Sequence, residues 1–327
     1  MKALITGISG FVGTHLCRHL LDHTDWQIAG TVFGPYDSIK PWWDQLEIYP
    51  AELSRLEVVS FILEQAQPDY IFHLAAQPMV SLSHRDPWGT LANNIHMQLN
   101  ILHALVKLDM LDTRVLVIGS GEVYGPVSPD ELPIRETQPF RPANPYAVSK
   151  ITQDMLGLQY YQTYGVQAIR ARSFNHIGPG QRLGFVVPDF AQQIAAIEAG
   201  QSPPVMRVGN LAARRDFTDV RDVVRAYRLL MTTGQAGQAY NIGAGQSHAI
   251  QKVLDTLLSL SKVEIVIEPD PARMRPSDVP DVVCDAGKLR RQTGWQPTIP
   301  FEQSLADVLD YWRARMALID TSRERIS

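Results

Sequence analysis

The first thirteen residues constrain this chain more than any other stretch. Leu4-Ile5-Thr6 is a short apolar run, Gly7-Ile8-Ser9-Gly10-Phe11-Val12-Gly13 follows it, and a helical pattern then continues to about residue 23. The glycines fall as G-x-x-G-x-x-G. A strand, a glycine turn and a helix start in that order form a phosphate cradle. Gly7 permits the tight turn, Gly10 lets backbone approach the pyrophosphate of a dinucleotide, and Gly13 lets the helix pack on the strand. The anion then meets the helix N-terminus, whose free N–H groups and dipole favour negative charge. Gly7, Gly10, Phe11, Val12 and Gly13 are therefore candidate cofactor-binding residues.

The rest of the chain has the texture that such a turn requires. Short apolar runs at 3–5, 27–32, 70–74, 114–118 and 167–171 alternate with helical patterns near 11–23, 54–66, 88–108 and 144–164. Strands separated by helices imply βαβ crossovers and a parallel sheet buried on both faces. Pro87 and Pro145 stand near helix starts, where a missing N–H does no harm. After about residue 175 the loops become richer in Gly, Pro and Arg, and helices near 187–199, 220–232, 249–260 and 301–316 are interleaved with short strands. The fold expected is α/β: a Rossmann-type doubly wound parallel sheet with a smaller C-terminal α/β substrate-binding domain. The dinucleotide-binding domain is placed at 1–174, with parts of 216–245 returning to it, and the substrate-binding domain at 175–327. The second domain caps the carboxyl edge of the sheet, where ligands bind in open α/β folds.

Composition narrows the partners. With a net charge of −4 and no block of like charges, nothing points to a nucleic-acid groove or an anionic membrane. No apolar run reaches the roughly 18–20 residues of a membrane helix. Lys2 and the apolar start mimic a signal peptide faintly, but the glycines interrupt it and no small-residue cleavage site follows. Cys17 and Cys284 are far apart and not in metal-ligand spacing, and Cys17 falls in an apolar helical stripe as a small core residue. A reducing, cytoplasmic setting is expected, and no metal.

The residue that chooses between NAD and NADP stands at the end of the second strand: an acid for the ribose 2′-OH, an arginine for a 2′-phosphate. Here the chain reads Thr31-Val32-Phe33-Gly34, with neither signal, and Lys40 reads as a solvated loop lysine. NADP(H) and NAD(H) both stay open.

Tyr146 and Lys150 form Y-x-x-x-K, a spacing that puts both on one helix face. A nearby ammonium favours the phenolate, which makes the tyrosine a usable proton donor or acceptor beside a carbonyl. After the apolar run at 114–118 comes Gly119-Ser120-Gly121-Glu122-Val123-Tyr124-Gly125, which sets a hydroxyl at the end of a strand. With the glycine turn, this set resembles the Ser/Thr–Tyr–Lys constellation of the extended short-chain dehydrogenases/reductases. The resemblance also takes in His73-Leu74-Ala75-Ala76, Asn93-Asn94-Ile95, Ser173-Phe174-Asn175 and Arg215-Asp216-Phe217-Thr218-Asp219-Val220, and covers nearly the whole chain. It implies that Ser120 orients the substrate, that Tyr146 is the general acid/base and that Lys150 tunes it and holds the nicotinamide ribose. It implies further cofactor contacts at Glu52, Leu74, Ala75, Ala76 and Asn94. Asn175, Arg215 and Arg275 become candidates for a substrate diphosphate, a task that suits the arginine fork. Arg214 and Arg273 read as surface charges.

Four stretches narrow the resemblance: 120–125, 174–181, 215–222 and 270–276. They are similar to the GDP-6-deoxy-D-mannose reductases, which implies a GDP-linked 4-keto-6-deoxy sugar as partner and reduction to GDP-D-rhamnose. Glu122 falls where the related dehydratases carry the glutamate that removes the sugar C5 proton, and it joins Ser120, Tyr146 and Lys150 as a catalytic candidate. GDP-mannose 4,6-dehydratases follow Phe-Asn-His with Glu and Ser, whereas Ile177 and Gly178 stand here; dTDP-sugar dehydratases carry aspartate where this chain has Gly121. The dehydratase, another nucleotide-sugar 4-ketoreductase or epimerase, and a dinucleotide-binding regulator remain the alternatives. The family resemblance also implies a homodimer paired through the helices at 88–108 and 144–164.

Overall fold

The structure is a computed structural model that describes residues 1–273 and 279–324, with side chains to residue 318. Six strands lead the chain: β1 (Lys2–Thr6), β2 (Gln27–Val32), β3 (Leu46–Pro50), β4 (Tyr70–His73), β5 (Arg114–Ser120) and β6 (Gln167–Ser173). The helices among them are α1 (Phe11–His23), α2 (Leu56–Ala66), α3 (Val80–Arg85), α4 (Pro87–Lys107) and α5 (Pro145–Tyr164). The later part holds β7 (Asn175–Ile177), α6 (Val186–Glu198), β8 (Val205–Val208), β9 (Arg214–Asp219), α7 (Val220–Thr233) and β10 (Ala239–Ile242). It ends with β11 (Ser247–Ala249), α8 (Ile250–Ser259), β12 (Val266–Pro269), α9 (Gly287–Thr293) and α10 (Phe301–Glu324).

One parallel sheet runs β10-β6-β5-β4-β1-β2-β3, so the doubly wound expectation holds. Its strands bury both faces. Ala3 and Ile5 enter the core beneath α1 and α7, while Leu4 between them enters the core beneath α2 and α4. Leu116 and its neighbours Val115 and Val117 divide in the same way. A side-chain period of two on a sheet covered on both sides gives continuous apolar runs. Two strand features escaped the periodicity. β3 was not anticipated, because Leu46-Glu47-Ile48-Tyr49-Pro50 is a half-exposed edge strand. β10 is four residues long and joins the sheet only through β6.

The remaining strands form two small sheets, β11-β9-β7 and β12-β8, packed with α6, α8 and α10 around a separate core. Residues 215–222 tie this part together. Asp216 accepts backbone N–H bonds from Ala244, Gly245 and Cys284 at 2.8–2.9 Å. Asp219 accepts from Ser304 at the start of α10 and from Arg221. Asp222 accepts from the backbone of Thr298 and Ile299, from the Thr298 hydroxyl and from Arg225. All three carboxylates are buried. Cys17 and Cys284 are free and buried.

Candidate active site

The carboxyl edge of the sheet gathers the sequence candidates. The polypeptide reverses strand order between β1 and β4, which is where open α/β sheets bind ligands. Gly7 has φ +67°, and a Cβ there would press on the backbone of Ala75 at 3.2 Å. Gly13 is tighter: a Cβ would stand 2.3 Å from the Gly7 carbonyl oxygen. Gly10 differs, because an added Cβ would meet only that same oxygen, at 3.1 Å, and its outer side is open. Gly10 also caps α1 without a side-chain hydrogen bond, so the first N–H groups of that helix are not claimed by a cap. An open turn above uncapped N–H groups fits a dinucleotide pyrophosphate, with Phe11 and Val12 half-buried on the first helical turn.

Around that turn the other candidates fall as follows. The Ala75 N–H donates to the Thr6 hydroxyl, which also contacts His73 Nδ1 at 2.9 Å, and Leu74, Ala75 and Ala76 line the edge half-buried. Asn94 is fully buried. Its amide bridges the Gln77 backbone and the Ser149 hydroxyl, which in turn donates to the Tyr146 carbonyl. It therefore braces the loop after β4 against the first turn of α5. Glu52 is exposed just beyond β3 and accepts from Ser54. At the end of β2, Phe33 is 81% exposed, and Lys40 pairs with Asp37.

The candidate catalytic groups come from β5 and α5. Asn144 caps α5 by accepting the Ala147 N–H, Pro145 opens the helix, and Tyr146 and Lys150 follow on one face. Tyr146 lies beside Ser120, whose Oγ accepts the Glu122 N–H at 3.2 Å. The Lys150 ammonium sits 5.8 Å from the Tyr146 ring centroid and donates to the Ile118 carbonyl. Burial pushes Lys150 down to about 7. Burial also pushes the Tyr146 phenol well above its usual value; Ser120 opposes this and the Glu122 carboxylate adds to it. The expected lowering of the phenol by the ammonium is thus outweighed, because desolvation disfavours the charged form of both groups. Burial therefore favours the protonated form of Tyr146.

Glu122 is half-buried and accepts a 3.3 Å bond from the Asn144 amide. Its charge acts on both Tyr146 and Arg215. Arg215 is half-buried on β9, donating to the carbonyls of Arg214 and Val279. Asn175 is exposed at the start of β7, paired in register with Phe217 of β9. Arg214 is exposed and bonded to Ser247 and Asp281, Arg273 is exposed beside Asp270, and Arg275 lies outside the described residues. Among the described residues no cluster could hold a metal ion. Sequence reasoning missed Asn144 and the buried set Asp154, Arg170, Arg172 and Tyr124 behind α5. The signal was present: two arginines two residues apart in a strand otherwise read as core.

A family model described as GDP-mannose 4,6 dehydratase matches residues 4–308. The chain belongs to the GDP-mannose 4,6-dehydratase family. Within this family, the GDP-6-deoxy-D-mannose reductase of Pseudomonas aeruginosa is 40% identical over 317 residues, 96% of this chain and 98% of its own length. The solved structure of RMD from Pseudomonas aeruginosa complexed with NADPH superposes with a TM-score of 0.85 at 37% identity, covering 96% of this chain and 99% of that one. The UDP-glucose 4-epimerase of Thermotoga maritima with UDP-glucose gives 0.85 at 26% identity, covering 97% and 100%. The GDP-mannose 4,6-dehydratase family fold thus serves reductase, dehydratase and epimerase chemistry, and the side chains at the edge decide among them.

Proposed function

We propose that this protein reduces GDP-4-keto-6-deoxy-D-mannose to GDP-D-rhamnose with NADPH or NADH. The observation that carries the reading is that β5 and α5 bring Ser120 beside Tyr146, with the Lys150 ammonium 5.8 Å from the Tyr146 ring centroid, where burial favours the protonated phenol. Reduction of a ketone needs a proton donor at the new alkoxide, and a neutral phenol is one. The 40% identity to the Pseudomonas aeruginosa reductase supports the same reading.

A bound reduced nicotinamide supplies the hydride. Ser120 and Tyr146 hold the ketone oxygen between their hydroxyls. Tyr146 passes its proton to that oxygen as negative charge develops, and Lys150 beside the ring stabilises the phenolate that remains. Arg215 and Asn175 face the diphosphate side, where a guanidinium can give two N–H bonds to phosphate oxygens. Arg275 is assigned to the same task. Glu52, Ala75 and the residues beside it line the dinucleotide, and Asn94 acts on it through the loop it braces. The dinucleotide half is residues 1–174 with β10 and α7, and the substrate half is the rest.

A homodimer is part of the proposal. The only charged residues of α5, Lys150 and Asp154, are both buried, so its outward face carries Val148 and Met155 and no formal charge. Such a face beside α4 suits a second copy. The two buried free cysteines accord with a reducing cytoplasm. Among the described residues no helix is long and apolar enough to cross a membrane.

The test is NADPH or NADH absorbance with purified protein and GDP-4-keto-6-deoxy-D-mannose. Decay establishes the reductase and ranks the cofactors. The position of Glu122 favours one second reading, the dehydratase. Conversion of GDP-mannose to a 4-keto product without any keto reduction would establish that reading instead.

A further inference from the structure

Further along the face of α5 that carries Tyr146 and Lys150 lies a buried charged cluster that the proposed chemistry does not use. Tyr146, Lys150 and Asp154 recur at i, i+4 and i+8, so they share one helix face. Asp154 is 1% exposed. Arg170 donates to its Oδ1 at 2.6 Å, and Arg172 donates to both its oxygens, at 2.8 and 3.1 Å. Arg170 also reaches the Gly237 carbonyl, and Arg172 the Tyr124 hydroxyl and the Glu136 carbonyl. The Arg172 guanidinium lies over the Phe140 ring at 4.7 Å. Two guanidinium groups thus share one carboxylate.

Lys150, one turn before Asp154, is also buried, and its polar partner is the Ile118 carbonyl. Among the described residues no carboxylate lies within ion-pair distance of it. That is unusual, because a lysine and an aspartate at i and i+4 are neighbours on a helix, and burial strengthens their attraction. We propose that Arg170 and Arg172 are positioning residues for Lys150: by occupying the Asp154 carboxylate, they keep it from capturing the ammonium, which stays beside Tyr146. Arg170 alone, which bonds only Oδ1, would leave the other carboxylate oxygen free for the lysine. The inference rests on the proposed function only in that Lys150 serves Tyr146. The charged and titratable groups around Lys150 are Tyr146 on its own helix, His73 from β4, and Asp154 with Arg170 and Arg172 from β6; Glu122 and Tyr227 act on the Tyr146 phenol beyond them.

Arg172→Met frees one oxygen of Asp154. Keto reduction is expected to slow by about tenfold to a hundredfold. The titration midpoint of the Lys150 amine, followed by NMR of labelled lysine, is expected to rise by about one pH unit. Adding Asp154→Asn should restore both readouts toward wild type while lowering the melting temperature further, since Arg170 then loses its carboxylate. A merely structural role moves activity and melting temperature together. A double variant as slow as Arg172→Met, or an unmoved Lys150 titration, overturns the proposal. Should Arg172→Met not fold, Arg172→Gln with and without Asp154→Asn gives the same comparison. Wild-type protein that fails to oxidise NADPH or NADH with the keto sugar rejects the proposed function alone; the lysine titration still decides the positioning.

Discussion

The two halves of the molecule are held together by different means. In the dinucleotide half, backbone closes on backbone. Gly7 lies against Ala75, Gly13 lies against Gly7, and seven parallel strands bury both faces. In the substrate half and where α7 joins it, strands are short, and buried carboxylates collect N–H and O–H donors from distant segments: Asp216 from Cys284, Asp219 from Ser304, Asp222 at the start of α7 from Thr298. The first arrangement sets Ser120 at the end of β5 and packs α5, with Tyr146 and Lys150, against that strand. The second clasps loops of irregular course. Under the proposed function, the comparison assigns the chemistry to the sheet edge and the grip on substrate to the clasped loops.

The sharpest way to break that division is to find large chemical losses in the wrong half. Tyr146→Phe should lower kcat by about 10²- to 10⁴-fold, with NADPH affinity, read by fluorescence titration, little changed. Normal turnover in that variant would remove Tyr146 from the reaction. Asp222→Ala should cost about 3 kcal/mol of stability in urea unfolding, because Thr298, Ile299 and Arg225 lose a buried acceptor. A loss under about 0.5 kcal/mol would mean that the clasp carries little. Arg215→Ala should raise KM for the nucleotide sugar about tenfold to a hundredfold, as one charge-assisted contact to phosphate is lost, and leave kcat within a few-fold. A fall in kcat with KM fixed would move Arg215 into the chemistry and blur the comparison.

The smallest effect is one of pH. Burial raises Asp216 to about 6, against the three backbone N–H groups that hold it down. The folded chain therefore binds this proton more tightly than the unfolded chain does. The resulting stability is fully present below about pH 4 and is lost as pH rises through about 6. Asp216→Asn should flatten that part of the Tm-against-pH curve; an unchanged slope would assign it to other groups.

What the sequence made legible follows the same line. The glycine turn, Tyr146 with Lys150, and Ser120 at a strand end are local: spacing alone places them, and α1, α5 and β5 begin where the pattern put them, to within a residue. Asp222 and Thr298 are 76 residues apart, and no periodicity links them. Residues 215–222 stood out only through family resemblance, with attention on Arg215, while the three aspartates do the fastening. Tyr146 shows the other limit. Its neighbours could be read from spacing, but the sign of their net effect on its proton depended on burial, which only the packed structure supplies. Short β10 and half-exposed β3 were invisible for want of a continuous apolar run.

Strand β10 has a consequence for synthesis. It closes the outer side of β6, and α7, just before it, covers the sheet face that α1 shares through Val223, Val224, Tyr227 and Leu230. A nascent chain that has emerged only to residue 174 therefore carries all six leading strands with one border unpaired and one face partly bare. Unpaired strand borders beside apolar surface invite association with other chains. The growing polypeptide has to wait some seventy more residues, through part of the substrate half, before its first half can be finished.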